Sequence, residues 1–155
     1  MPIRPATLAE LPVIVEIYNA AIPGRQATAD TAPVTVESRL EWFKSHDPAT
    51  RPLWVMETKG RILGWLSLSS FYGRPAYSAT VEVSLYVATA VQGLGVGRQL
   101  LQHALNVAPG LGVTTLLAFI FGHNQASIKL FEGHGFTSWG LLPRVAQLDQ
   151  RECDL

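Results

Sequence analysis

The sequence predicts an α+β (mixed α/β) fold, a central sheet flanked by helices, on three observations. Apolar periodicities of two and of about 3.6 residues alternate along the chain, as they do where strands and helices share one core. A glycine-rich loop joins a strictly alternating strand, Thr80–Val87, to an amphipathic helical stretch. The chain has 155 residues and is 48% hydrophobic, which suits a single domain over 1–155.

The elements follow in order. Ile3-Arg4 reads as a short strand stopped by Pro5. Thr7 with Glu10 fits a capping box, opening a helix through Ile14, Ile17 and Tyr18 whose first turn Pro12 delays. Residues 21–34 carry Pro23, Gly24 and Pro33 and read as loop, and a second helix with Leu40 and Phe43 follows Thr35. Leu53–Glu57 and Ile62–Ser69 form a hairpin about Lys59-Gly60. Phe71–Tyr77 is a Gly/Pro loop and Gln92–Gly97 the glycine-rich loop. Arg98–Ala108 is helical and ends at Pro109-Gly110. Thr114–Phe121 is nearly continuous in apolar residues and predicts a strand buried on both faces. Ala126–His134 is a helix closed by Gly135, and the tail from Thr137 is extended and starts another strand.

Composition narrows the partners. Lys+Arg and Asp+Glu number 12 each, so no net field draws a nucleic acid or an anionic membrane. The apolar runs at 62–68 and 116–121 are far short of the roughly 18 residues that span a bilayer. Cys153 is the single cysteine, and no His or Cys cluster has metal-ligand spacing. With no signal-peptide pattern at the N-terminus, these features predict a reduced, cytoplasmic protein without a metal.

The chemistry concentrates at the middle of the chain. Gly93, Gly95 and Gly97 free backbone N–H groups to converge, and the next helix turns its positive end toward them, as a pyrophosphate site requires. A glycine-rich turn that merely packs a helix on a strand has the same look. The spacing excludes two phosphate loops. A dinucleotide fingerprint needs a third glycine where Arg98 or Leu100 stands, and a Walker loop needs Lys-Ser/Thr where Arg98-Gln99 stands. Along Thr80–Val87, Glu82 shares a face with Thr80, Ser84 and Tyr86, opposite Val81, Val83, Leu85 and Val87. A carboxylate on a central strand is either solvated or placed for proton transfer, and the pattern leaves both open.

The Q-x-x-G-x-G spacing of Gln92–Gly97 resembles the acetyl-CoA loop of the GNAT superfamily. TVEVSLYV, FIFGHNQASIKLFEGHGF and IRPATLAELPVIVEIYNAAI resemble, in order, further segments of its phosphinothricin acetyltransferase-like family. The resemblance covers residues 3 to 145. It implies a sheet splayed open between the Thr80–Val87 and Thr114–Phe121 strands, with acetyl-CoA in the gap. Backbone groups of Leu85, Tyr86 and Val87 would hold the pantetheine arm, and those of Gly93, Leu94, Gly95, Val96, Gly97 and Arg98 the pyrophosphate. Asn124 would bond the arm from the far side, with Ser127 facing it.

The resemblance also implies that Glu82 is general base for direct attack by an amine on the thioester. The acceptor it implies is a small amino acid of the phosphinothricin or methionine sulfoximine type. Arg74 would clamp the acid group of that acceptor, with Tyr77, Tyr72 and Trp65 as walls. A homodimer is expected from the same source. Phe131 stands where relatives carry Tyr or His as acid for the leaving thiolate. That departure keeps a non-catalytic acyl-CoA-binding module in view, beside acetylation of another amine such as an antibiotic or a protein N-terminus.

Overall fold

The computed structural model describes residues 2–155. Its five-stranded mixed sheet has the order β1 (Ile3–Pro5), β2 (Leu53–Thr58), β3 (Arg61–Ser70), β4 (Thr80–Val87), β5 (Thr115–Leu117). The first four strands are antiparallel neighbours, and β5 lies parallel to β4. Local chemistry explains the elements. Lys59 and Gly60 both take positive φ, 48° and 75°, which is the turn that matches the twist of a two-residue hairpin. Glu10 accepts the Thr7 N–H at 2.8 Å, and a 3₁₀ turn over Leu8–Glu10 precedes α1 (Leu11–Ala21), which starts beside Pro12. Thr35 Oγ1 accepts the Ser38 N–H at 3.1 Å ahead of a 3₁₀ turn, Glu37–Arg39, and the short α2, Leu40–Lys44.

The alternation of the strands sorts two cores. One face carries Trp54, Met56, Leu66, Leu68, Val81 and Val83, covered by Val96, Leu100, Leu101 and Ala104 of α3 (Val96–Val107) and by Phe131 of α4 (Gln125–Glu132). The other face buries Leu53, Val55 and Trp65 against Leu11, Ile14, Val15 and Ile17 of α1. Gly64 sets the seat of α3. A Cβ there would lie 2.9 Å from Tyr86 O and 3.1 Å from Val96 Cγ1, so a larger residue would push the helix off the sheet.

One expectation needs correction. The run Thr114–Phe121 is neither a full strand nor buried on both faces. Only Thr115–Leu117 pair, Thr115 is exposed, and Phe119 is 49% exposed. Its apolar residues divide between packings: Leu116, Ala118 and Ile120 lean on the α3 core, while Phe121 joins Leu148 and Cys153 in a separate cluster. The tail does start another strand, as expected, and that strand pairs with a second one rather than with the main sheet. They form a hairpin of β6 (Ala146–Leu148) and β7 (Arg151–Cys153), tied back by two backbone bonds between Leu142 and Leu155 and one from Gly122 N–H to Asp154 O.

Candidate active site

Pairing between β4 and β5 runs Thr80↔Thr115, Val81↔Leu116, Glu82↔Leu117, and stops. Beyond Glu82 the β5-facing edge of β4 has no strand partner, although its other edge stays paired to β3 through Val87↔Gly64. The sheet therefore opens at Leu85–Val87, and backbone groups along that edge are free to bond a ligand. The gap leads to the glycine loop. Gly93 and Gly95 sit at φ 77° and 85°, a left-handed geometry suited to glycine, and Val96 begins the twelve-residue α3 at once. The first N–H groups of that helix point out of its end beside exposed Leu94 and Arg98, a geometry suited to an anion. Gly97 plays another part. Its missing Cβ faces Leu130, Val87 and Leu85 at 3.5–3.7 Å, within the apolar packing rather than the concavity.

Asn124 flanks the far side of the gap, buried, but its side chain serves the fold. Oδ1 caps α4 by accepting the Ser127 N–H at 3.2 Å, and Nδ2 donates to Gln26 O at 3.2 Å. One amide hydrogen is left for a ligand. Across the gap, Tyr86 Oη donates to Ala27 O at 3.0 Å, and His123 Nε2 donates to Arg25 O at 2.7 Å. The 25–27 segment thus bridges both walls of the opening, anchored further by the Arg25–Asp149 ion pair at 2.7 Å. The sequence pattern over residues 21–34 shows a loop without showing these contacts.

The polar face of β4 meets α1 and α2 over a cavity lined by Ile14, Tyr18, Arg39, Trp42, Trp65, Ser84 and Tyr86, among others. Arg39 bonds Asp30 at 3.1 Å and lies 5.2 Å over the Tyr18 ring. Tyr18 Oη in turn bonds Asp30, and Thr28 Oγ1 at 2.6 Å. Tyr86 packs edge-on to Tyr18, with centroids 5.0 Å apart. Burial, and next the neighbouring Tyr18, push the Tyr86 phenol well above its ordinary value, so it is a poor proton donor. Glu82 is half-buried beside Ser84, and its desolvation raises the carboxyl above the ordinary range. No ion pair or hydrogen bond satisfies the Glu82 carboxylate among the described residues.

Arg74 and Tyr77 line a second, shallow cleft with Arg51, Ser70, Gly73, Pro75 and Ser78, at the other end of the same strands. Glu82, opposite Ser69, falls between this cleft and the cavity. Tyr72 stands 73% exposed against Phe71 and Tyr77, and Trp65 walls the cavity. Arg39, Trp42, Tyr18 and Asp30 were not singled out from sequence, because nothing local separates a cavity-lining arginine from a surface one.

Residues 14–136 match the model of the acetyltransferase (GNAT) family. The chain belongs to the GNAT acetyltransferase family. This GNAT enzyme is 52% identical over its full length to the Bacillus subtilis (strain 168) protein named "Putative phosphinothricin acetyltransferase YwnH", covering 95% of that relative. It is 34% identical, over its full length and 91% of the relative, to the L-methionine sulfoximine/L-methionine sulfone acetyltransferase of Salmonella typhimurium. Among solved structures it superposes on "yncA, a putative ACETYLTRANSFERASE from Salmonella typhimurium with its cofactor Acetyl-CoA". There the TM-score is 0.93 at 34% identity, over 99% of this chain and 89% of the other. The splayed sheet is thus the GNAT fold, and the chain is an N-acetyltransferase.

Proposed function

We propose that this enzyme acetylates the amino group of a small amino-acid-like acceptor, of the phosphinothricin or methionine sulfoximine type, using acetyl-CoA. One observation carries the reading: the β4–β5 gap opens directly after Glu82 and runs to the Gly93–Arg98 loop, so a carboxylate adjoins a built thioester channel. Acetyl-CoA bound there supplies an activated acyl carbon. The free edge of Leu85, Tyr86 and Val87 holds the pantetheine amides, and the N–H groups of Gly93 to Arg98 hold the pyrophosphate. Glu82 takes the proton that the ammonium must lose before it attacks. Its desolvated carboxylate is a stronger base than an exposed one.

The acceptor amine sits at Glu82 and its acid group reaches the exposed Arg74 guanidinium, with Tyr77 beside it. Exposed Trp139, Leu141, Leu142 and Val145 form an apolar surface that fits a homodimer, and the single thiol, Cys153, fits a reduced cytoplasm. CoA release measured with a panel of amines tests the whole. Methionine sulfone and phosphinothricin are expected to turn over, and amines lacking a carboxylate to turn over poorly. Arg74→Ala is expected to raise the acceptor KM about tenfold and leave the acetyl-CoA KM unchanged, whereas a change confined to the acetyl-CoA KM reassigns Arg74 to the cofactor.

A further inference from the structure

His46, just past the C-terminal end of α2, reaches the polar face of the sheet. Its Nδ1 lies 2.9 Å from Trp42 O, and its Nε2 lies 3.4 Å from Ser69 Oγ. A carbonyl oxygen can only accept, so Nδ1 carries the hydrogen. Burial holds the imidazole below its ordinary value, which keeps it neutral and leaves Nε2 as an acceptor. The Ser69 hydroxyl is then the donor to Nε2. Ser69 is the cross-strand partner of Glu82, and directly opposite side chains in an antiparallel pair stand about 5 Å apart. It is the hydroxyl best placed to donate to the carboxylate, yet it is turned away.

We propose that His46 is a positioning residue for the base: by accepting the Ser69 hydroxyl it denies Glu82 a hydrogen bond and keeps the carboxylate reactive. This rests on Glu82 being the base. The groups around the pair are few. Glu82 is faced by Tyr86 from its own strand, by Ser69 and through it His46, and by Leu117 of β5, with Tyr18 and Asp30 beyond Tyr86. Charged neighbours of His46 on its own segment are engaged elsewhere. Lys44 pairs with Glu41, Arg39 with Asp30, and Asp47 accepts the Ala49 N–H. No cation is drawn to Glu82 in compensation, and burial alone raises its carboxyl.

The pH dependence of kcat/KM tests the idea in four variants. Replacing His46 by Phe or Leu removes the acceptor and frees the Ser69 hydroxyl to donate to Glu82. A hydrogen bond to the charged form lowers a carboxyl, so the acidic limb is expected to move down by about one pH unit. Ser69→Ala is expected to leave the limb where it is, and His46→Phe/Ser69→Ala to return it to the wild-type position, which no merely structural role would do. A limb unmoved in both His46 variants overturns the proposal. So does a limb moved upward by Ser69→Ala, a small change that folds in any case, since it would mean that Ser69 already donates to Glu82. Failure of the underlying reading looks different: Glu82→Gln would then retain the wild-type acidic limb.

Discussion

The two faces of β4 are made from alternate residues of one eight-residue strand, yet they are built to opposite rules. Val81 and Val83 point into the α3 core and are closed to solvent. Glu82, Ser84 and Tyr86 point toward α1 and α2; Ser84 and Tyr86 line a cavity, and Glu82 beside it is a half-buried carboxylate without a partner among the described residues. The same contrast continues on β3, where Leu66 and Leu68 pack while Ser67 beneath the cavity has a buried hydroxyl without a partner among the described residues. One face converts apolar area into stability. The other accepts desolvated polar groups, which cost stability and raise reactivity. A strand with period two can serve both ends because its faces titrate and pack independently.

The largest expected effect separates those roles. Glu82→Gln removes the proposed base and is expected to lower kcat/KM by about 10²–10⁴-fold near pH 7, with partial recovery at higher pH as the free amine becomes available. Its effect on stability has the opposite sign. A carboxyl raised by folding favours the fold while protonated and loses that advantage as pH climbs through its folded value. The Gln variant is therefore expected to gain more in Tm, relative to wild type, at pH 8 than at pH 4. Val81→Ala is the counterpart on the packed face, expected to cost about 2 kcal/mol of unfolding free energy in a urea titration with acetyl-CoA KM unchanged. A Val81 variant that loses rate but not stability would break the division of labour.

Next in size is the loop at the end of the strand. Gly95 holds φ 85°, and a β-branched residue there meets the left-handed penalty of about 1–2 kcal/mol while closing the concavity. Gly95→Val is expected to weaken acetyl-CoA binding at least tenfold by calorimetry. Gly97→Ala places its Cβ in ordinary contact with Leu130, Val87 and Leu85 and is expected to change affinity less than threefold. Unchanged affinity in the Gly95 variant would remove the loop from the phosphate site.

Much of this was legible before the structure, and the rest was not for identifiable reasons. The β2–β3 hairpin, the β4 alternation and the glycine loop are local, set by period two and by positive φ. The family resemblance reached the splay itself, which the register confirms by ending at Glu82↔Leu117. Thr114–Phe121 misled because an apolar run records burial without saying against what, and here the run is divided between two clusters. Asn124 is a ligand contact that the resemblance implies, and what sequence does not show is that its amide also caps α4 and bonds Gln26, which leaves one hydrogen for that contact. The Tyr18–Asp30–Arg39 cluster and the His46–Ser69 contact join segments far apart along the chain or across the sheet, which no local pattern reports.

The smallest effect is expected at Phe131, and the fold explains why. The family resemblance implies that Phe131 stands in the place of a proton donor, yet it is 7% exposed and packs edge-on to Phe136 at 4.9 Å, inside the α3 core. A hydroxyl added there must find a partner or be buried without one, at about 1–3 kcal/mol. Tyr86 does not replace the missing acid, since its hydroxyl is held by Ala27 O and its phenol is raised by burial. The chemistry tolerates that lack. A thiol with a pKa near 8.5 leaves as thiolate at pH 7 for roughly 2 kcal/mol, against a total catalytic effect of about 8 kcal/mol or more. Solvent entering the gap would then supply the proton after the bond breaks. Phe131→Tyr is accordingly expected to lower Tm while changing kcat by less than tenfold in either direction, measured by CoA release. A variant that runs much faster than wild type without losing stability would show that the core face of β4 and α4 opens toward the leaving sulfur. The separation between a packed face and a reactive one would then fail at that point.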